Sequence, residues 1–355
     1  MEPPPHPARA PNRPSPRPAA VARLVAGVVV AGLGVVLLGS GLVSIARPAP
    51  PSGPTPPAAL APSPAPASPT SVSPAPGSPA PASVSPAPPD NPVLVGAGDI
   101  ARCDLDDDEA TARLIDGIAG IVFTLGDTAY EDGSESQLRD CYGPTWGRFR
   151  DRTRFVVTGN HDIRTDGGAP LRAYFGDAAA RDGVTWFSED VGSWHVIVLD
   201  SNCDSADGGC GADTAQVRWL REDLAASDAR CTLALWHHPR FSSGEHGNDS
   251  AVAPFWDALH AAGADLILNG HDHDYERFAP QDPAGQLDRT AGLTEMVVGT
   301  GGAPLRGFKE VVANSVVRAS VAHGVLVLVL EPRGWQFRFV SADGSFSDQG
   351  RGSCH

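Results

Sequence analysis

The chain has 355 residues with 27 basic and 42 acidic side chains, a formal net charge of −15, and 26 of its 34 prolines lie in the first 92 residues. Proline at that density neither propagates a helix nor fills a ladder, so only the last 263 residues can build a packed core. Residues 1–92 carry five Arg against two acids, and the rest carries 22 basic against 40 acidic residues, a balance that argues against nucleic-acid binding, because phosphate backbones demand a basic face.

Residues 24–46 run 23 positions without a charge, long enough at ~1.5 Å per residue to cross a ~30 Å hydrocarbon layer. Arg9, Arg13, Arg17 and Arg23 precede this segment and only Arg47 follows closely, so a spanning helix would leave a Pro/Arg-rich tail (1–23) in the cytoplasm and export everything beyond. Ser44 and Ala46 also satisfy a small-x-small cleavage site, and the segment then reads as a signal peptide, although its apolar run exceeds the usual ~7–15 residues. Both readings export the rest of the chain, membrane-anchored with an extracellular domain in the first case and secreted in the second. Residues 47–92 hold 18 prolines among Ala and Ser. This composition predicts a disordered linker with polyproline II character, reaching ~140 Å at ~3.1 Å per residue.

From residue 93 onward, short apolar runs bounded by turn residues predict strands at 93–97, 121–125, 154–157, 194–199, 232–236 and 266–268. Helical periodicity at 107–118, 214–226 and 252–262 falls between them, which predicts an α/β domain with a largely parallel sheet. Runs at 294–298, 325–330 and 335–340 follow without a long helix between them and suggest a second, antiparallel sheet packed on the first. All six cysteines lie in this exported part, where an even count reads as disulfides. Cys203 and Cys210 flank a short Gly- and Asp-rich loop, and Cys103 and Cys141 follow neighbouring strand–loop units, which leaves Cys231 to pin the C-terminus through Cys354.

The residues after the strands carry the chemistry. Asp99 ends VGAGD, Asp127 follows the second strand, Asn160 and His161 the third, His237 a later one, and His271 and His273 the last. Ligands of open α/β sheets collect beyond the carboxyl ends of strands. An Asp in such a place is singly more often a helix cap, but two Asp, one Asn and three His at five successive strand ends suit two hard-to-borderline metal ions. Gly176-Asp177 follows no strand and reads as a turn, and His195, His260 and His323 read as packing or surface residues.

In order, the chain has GDIA at 98–101, GDTAY at 126–130, GNHD at 159–162, ALWH at 234–237 and GHDHDYER at 270–277. This set resembles the metallophosphoesterase superfamily and, within it, the purple acid phosphatases, over essentially all of residues 93–355. Ala101 and Ala234 depart from the family's usual Gly and Val, small changes away from the ligand positions. The resemblance implies a four-layer αββα sandwich with two mixed β-sheets. It also implies a first metal, ferric iron, on Asp99, Asp127, Tyr130 and His273, with Tyr130 replacing the histidine that most of the superfamily has at the place of Ala101. Asp127 would bridge to a second, divalent ion (Zn²⁺, Mn²⁺ or Fe²⁺) held also by Asn160, His237 and His271, leaving His238 to pack or to support those ligands.

By the same resemblance, His161 touches the substrate phosphate and protonates the leaving oxygen, and His246 faces the substrate. The implied reaction is acid-phosphatase-like hydrolysis of phosphate monoesters by a metal-held hydroxide. Two alternatives stand beside it. One is a phosphodiesterase acting on cyclic nucleotides or lipid headgroups, with loops 163–185 and 201–213 setting the choice. The other is a non-catalytic, metal-binding envelope module.

Overall fold

The computed structural model describes residues 91–205 and 208–355. The expected tail, the anchor or signal at 24–46, and the linker up to residue 90 lie outside the described residues. No helix among the described residues is long and apolar enough to cross a membrane.

Two sheets face each other. In the first, the parallel strands Val93–Ala97, Ile121–Leu125 and Thr153–Val157 are continued on the other side of Val93–Ala97 by Gly324–Glu331, Gly334–Ser341 and Ser347–Ser353, all antiparallel to their neighbours. In the second, Trp194–Val198, Cys231–Leu235, Leu266–Asn269 and Thr294–Val298 run parallel, edged by antiparallel Phe187–Val191 on one side and by Tyr275–Phe278 and Ser315–Ala319 on the other.

The expectation of one largely parallel sheet with a second, antiparallel one behind it is therefore corrected. The six strands expected to be parallel divide three and three between two mixed sheets; Thr294–Val298 joins the second as a further parallel strand, and Gly324–Glu331 and Gly334–Ser341 join the first beside the opening strand. Most of these strands are buried on both faces, so their apolar runs carry no mark of which neighbour they pair with. The two mixed sheets implied by the family resemblance are what the structure contains.

Side-chain alternation builds the layers. On the second sheet Val196, Val198, Leu233, Leu235, Leu266 and Leu268 join the larger core with residues of the first sheet. Their neighbours Ile197, Ala234, Trp236 and Ile267 pack instead with Val217 and Leu220 of helix Ala215–Ala226 and Phe255, Trp256 and Leu259 of helix Ala253–Ala261. Helix Asp107–Asp116 covers the first sheet through Ala112 and Ile115. Aromatic edges close the seam between sheets, Trp194 against Trp335 at 6.0 Å and Tyr275 against Phe339 at 4.3 Å.

All three expected disulfides form: Cys103–Cys141, Cys203–Cys210 and Cys231–Cys354. The last ties the second sheet to the residue after the edge strand of the first.

Candidate active site

The predicted ligands and His161 stand just beyond parallel strands: Asp99, Asp127, and Asn160 with His161 on the first sheet, His237, and His271 with His273 on the second; Tyr130 lies in the short strand Ala129–Tyr130, and His246 further along the loop after His237. The backbone turns sharply to aim them. Asp99, Asp127 and His271 have φ of 59°, 51° and 72°, a left-handed conformation that β-carbon sterics disfavour and that surrounding bonds hold. The Asp99 amide donates to Gly126 O at 3.0 Å and the Ile100 amide to Asp127 O at 3.0 Å. The motif glycines make room, since a Cβ at Gly159 would lie 2.1 Å from Asp127 Oδ1 and one at Gly126 2.4 Å from His237 Nδ1.

On one side of the cluster the Tyr130 hydroxyl donates to Asp99 Oδ1 at 2.8 Å and lies 3.1 Å from both Asp127 Oδ2 and His273 Nε2. His273 Nδ1 donates to Pro304 O at 2.8 Å, which leaves its Nε2 facing Asp99 Oδ1 at 3.3 Å. On the other side His237 Nδ1 donates to Leu125 O at 2.7 Å. Its Nε2 then faces Asn160 Oδ1 at 3.2 Å, His271 Nδ1 at 3.3 Å and Asp127 Oδ2 at 3.4 Å. Asp127 belongs to both sides, and its Oδ1 accepts the His161 amide at 2.8 Å.

Asp99 and Asp127 are buried, and their charged partners among the described residues are histidines. Burial opposes ionisation of Asp127, but His237 and His161 outweigh it and hold the carboxyl well below the usual range. Burial likewise opposes a charge on His237, yet Asp127 and Asp99 push it up to about 10. Burial and the carboxylates of Asp127 and Asp99 raise Tyr130 far above an ordinary phenol, and burial with His237 lowers His271.

Carboxylate, imidazole, amide and phenol donors converge here, two of the rings are oriented by backbone carbonyls, and the Asp99–Asp127–His237 ligand atoms lie within 4.8 Å of one another. That donor set fits hard or borderline ions.

The ring nitrogens of His237, His238 and His271 also come within 4.8 Å of one another. The sequence leaves His238 either packing or supporting the ligands. Here it lies within ligand reach, its Nδ1 2.8 Å from Ser201 Oγ, and burial and His237 push it down to about 3.

His161 Nδ1 donates to Glu131 O at 2.7 Å, and its Nε2 lies 3.9 Å from Asp127 Oδ2. The His246 ring lies 4.2 Å from that of His271. Its loop is held by three buried carboxylates: Glu295 accepts the Arg240 amide at 3.0 Å, Glu276 the Ser243 amide at 2.7 Å, and Asp272 the His246 amide at 2.9 Å.

Sequence reasoning left three contributors without a role. Asp162 accepts the Thr128 amide at 2.9 Å and the Gly159 amide at 2.8 Å, tying the Asp127 and Asn160 loops together. Its place after GNH was the available signal. Arg164 and Arg306 contact His161 and His246, and nothing in the sequence marks them.

The fold and this cluster define a metallophosphoesterase, and residues 94–275 match the calcineurin-like phosphoesterase family. The chain belongs to that family. Within it the chain is similar to purple acid phosphatases. Purple acid phosphatase 15 of Arabidopsis thaliana is 24% identical over 230 residues, 55% of this chain and 42% of the relative. The chain thus spans less than half the length of that relative. The solved purple acid phosphatase PPD1 from yellow lupin (Lupinus luteus) superposes with a TM-score of 0.60 at 19% identity, over 74% of this chain and 54% of that one. The fold extends to GAP50, the anchor in the inner membrane complex of Plasmodium, with a TM-score of 0.57 at 16% identity over 75% of this chain and 89% of that one.

Proposed function

We propose that residues 93–355 form an exported phosphatase that hydrolyses phosphate monoesters with two metal ions. The observation that carries this reading is the convergence of Asp99, Asp127, Tyr130, Asn160, His237, His271 and His273 beyond five strand ends. Asp99, Tyr130 and His273 would hold one ion, Asn160, His237 and His271 the other, and Asp127 both. A phenol ligand favours Fe³⁺ in the first place, with Zn²⁺, Mn²⁺ or Fe²⁺ in the second. When bound, such a pair supplies positive charge to the phosphoryl oxygens and lowers the pKa of a water ligand.

The chain's own residues do the rest. Leu125 O and Pro304 O fix the His237 and His273 rings with Nε2 inward. Asp162 holds the Asp127 and Asn160 loops in register. His161, oriented by Glu131 O, presents Nε2 beside Asp127, within reach of a bound ester. In the reaction water gives up a proton to solvent and its oxygen becomes bonded to phosphorus, the ester P–O bond breaks, and His161, protonated at Nε2 beforehand, delivers that proton to the leaving oxygen. His246 contacts the substrate from the other flank.

Three disulfides support an oxidising compartment, and the apolar run 24–46 supports its delivery there, anchored or cleaved. The test is phosphate release by the full chain from phenyl phosphate and from bis(4-nitrophenyl) phosphate, before and after chelation and metal return. Metal-dependent release, faster from the monoester, is expected. Preference for the diester would move the reading to a phosphodiesterase, and no release from either to a non-catalytic module.

A further inference from the structure

Two guanidinium groups stand at the rim of the cluster with little to balance them. Arg164 Nη2 lies 3.2 Å from His161 Nε2, and its Nη1 donates to Glu131 O at 3.0 Å. Arg306 Nη1 lies 2.6 Å from His246 Nε2, and its backbone amide donates to His273 O at 3.0 Å. Arginine only donates, so with the histidine neutral each contact uses the Nε2 lone pair; His161 takes up a proton at Nε2, and lets go of Arg164, before it can give one to the leaving oxygen.

Among the described residues Arg164 has no carboxylate within ion-pair distance, and Arg306 has only exposed Glu245 at 3.6 Å, a solvated contact of little strength. Some other arginines are paired at close range, Arg148 with Asp116 at 2.7 Å, Arg277 with Asp348 at 2.6 Å and Arg181 with Glu189 at 2.6 Å, so their charge is already engaged. What sets these two apart is their place: each touches a histidine that borders the cluster.

Their placement says what they would match. His161 lies against Asp127 and Tyr130, and His246 against His271, so the two arginines flank the cluster one residue further out than the groups that would meet the reacting phosphoryl. A guanidinium fork pairs with phosphate or carboxylate in two-point fashion. It also offsets locally the repulsion that an acidic surface exerts on an anion within ~8 Å. Resting on the hydrolase reading above, we propose that Arg164 and Arg306 are specificity-determining residues that select phosphate esters carrying a second anionic group, phosphate or carboxylate, over esters whose alcohol is neutral.

The metal-loaded full chain is assayed on two pairs, phenyl phosphate with 4-carboxyphenyl phosphate and glucose 6-phosphate with glucose 1,6-bisphosphate. The doubly anionic member of at least one pair is expected to have about tenfold higher kcat/KM, gained through KM and weakened by salt. Arg164→Ala and Arg306→Ala each shrink that ratio several-fold, and the Lys variants keep part of it. The responding pair distinguishes carboxylate from phosphate. A readout free of turnover is calorimetric binding of methylphosphonate and phosphonoacetate, where about tenfold tighter binding of phosphonoacetate is expected to vanish in the double Ala variant if carboxylate is the group selected. Equal kcat/KM within both pairs, or equal losses on both members in the variants, overturns the proposal while leaving the hydrolase intact. Absence of turnover on all four esters by the parent overturns the hydrolase reading itself.

Discussion

Asp162→Asn removes half of a buried staple while changing almost no volume. The carboxylate is fully buried and its two oxygens accept the Thr128 and Gly159 amides at 2.9 and 2.8 Å. Asparagine keeps one acceptor and turns an NH₂ against the other amide, so one bond is lost and a buried donor is left unmatched. Leaving a buried donor unmatched costs roughly 1–3 kcal/mol. With about 2 kcal/mol lost, a domain of this size should melt roughly 4–8 °C lower. The amides belong to the loops of Asp127 and Asn160, so the loss also misplaces candidate ligands, and metal affinity should fall ~10–100-fold. Calorimetry of the metal-free protein and competitive chelator titration read the two effects separately. A melting temperature within about 1 °C of the parent, with metal affinity unchanged, would refute the staple.

Protons on three groups should stabilise the metal-free fold. Burial raises the pKa of Glu295 and Glu276, and the His195 pKa is raised because its pairs with Asp223 and Asp190 outweigh burial. The folded state therefore binds these protons more tightly, and the stability they contribute, full below the unfolded pKa values near 4.3 and 6.5, is lost as pH rises through the raised ones. Lowered His238 and His271 act with the opposite sign in this window, so the effect is read by difference: relative to Glu295→Gln, the urea midpoint of the parent should fall more steeply from pH 5 to pH 8, and equal slopes contradict the assignment. Replacing Cys231 and Cys354 by Ser opens a link across 123 residues and should lower stability by about 5 kcal/mol, against about 2.4 kcal/mol for the 7-residue link of Cys203 and Cys210; the reverse order in urea melts rejects the chain-entropy account. Iron-loaded parent should absorb visible light through the Tyr130 phenolate, and Tyr130→Phe should lose that band with iron content retained. A band that persists in the variant removes Tyr130 from the ligand set.

Much of the cluster was legible because its chemistry is local. GD, GN and GH place a ligand directly after a strand, and the glycine is required by contacts such as Gly159 against Asp127 that leave no room for a Cβ. Strand pairing was not legible, because Val196 and Ile197 are equally apolar although they face different layers. Ser347–Ser353 reads SDQGRGS, an edge strand with no apolar alternation, and Tyr275–Phe278 was read as motif rather than strand. Arg306 meets His246 only through the fold, 60 residues apart in sequence. His238 differs from His237 by one position, and only the turn after Cys231–Leu235 shows that both rings approach His271.

Asp127 is the one carboxylate that both halves of the cluster share, with Tyr130 at 3.1 Å on one side and His237 at 3.4 Å on the other. The decisive measurement is metal content and phosphate release from phenyl phosphate on the same samples of full-length parent and Asp127→Ala. Two metal ions per parent chain, with both metal content and turnover lost in the variant, is the predicted result. Undiminished turnover in Asp127→Ala, or in the parent stripped of metal, would contradict the account.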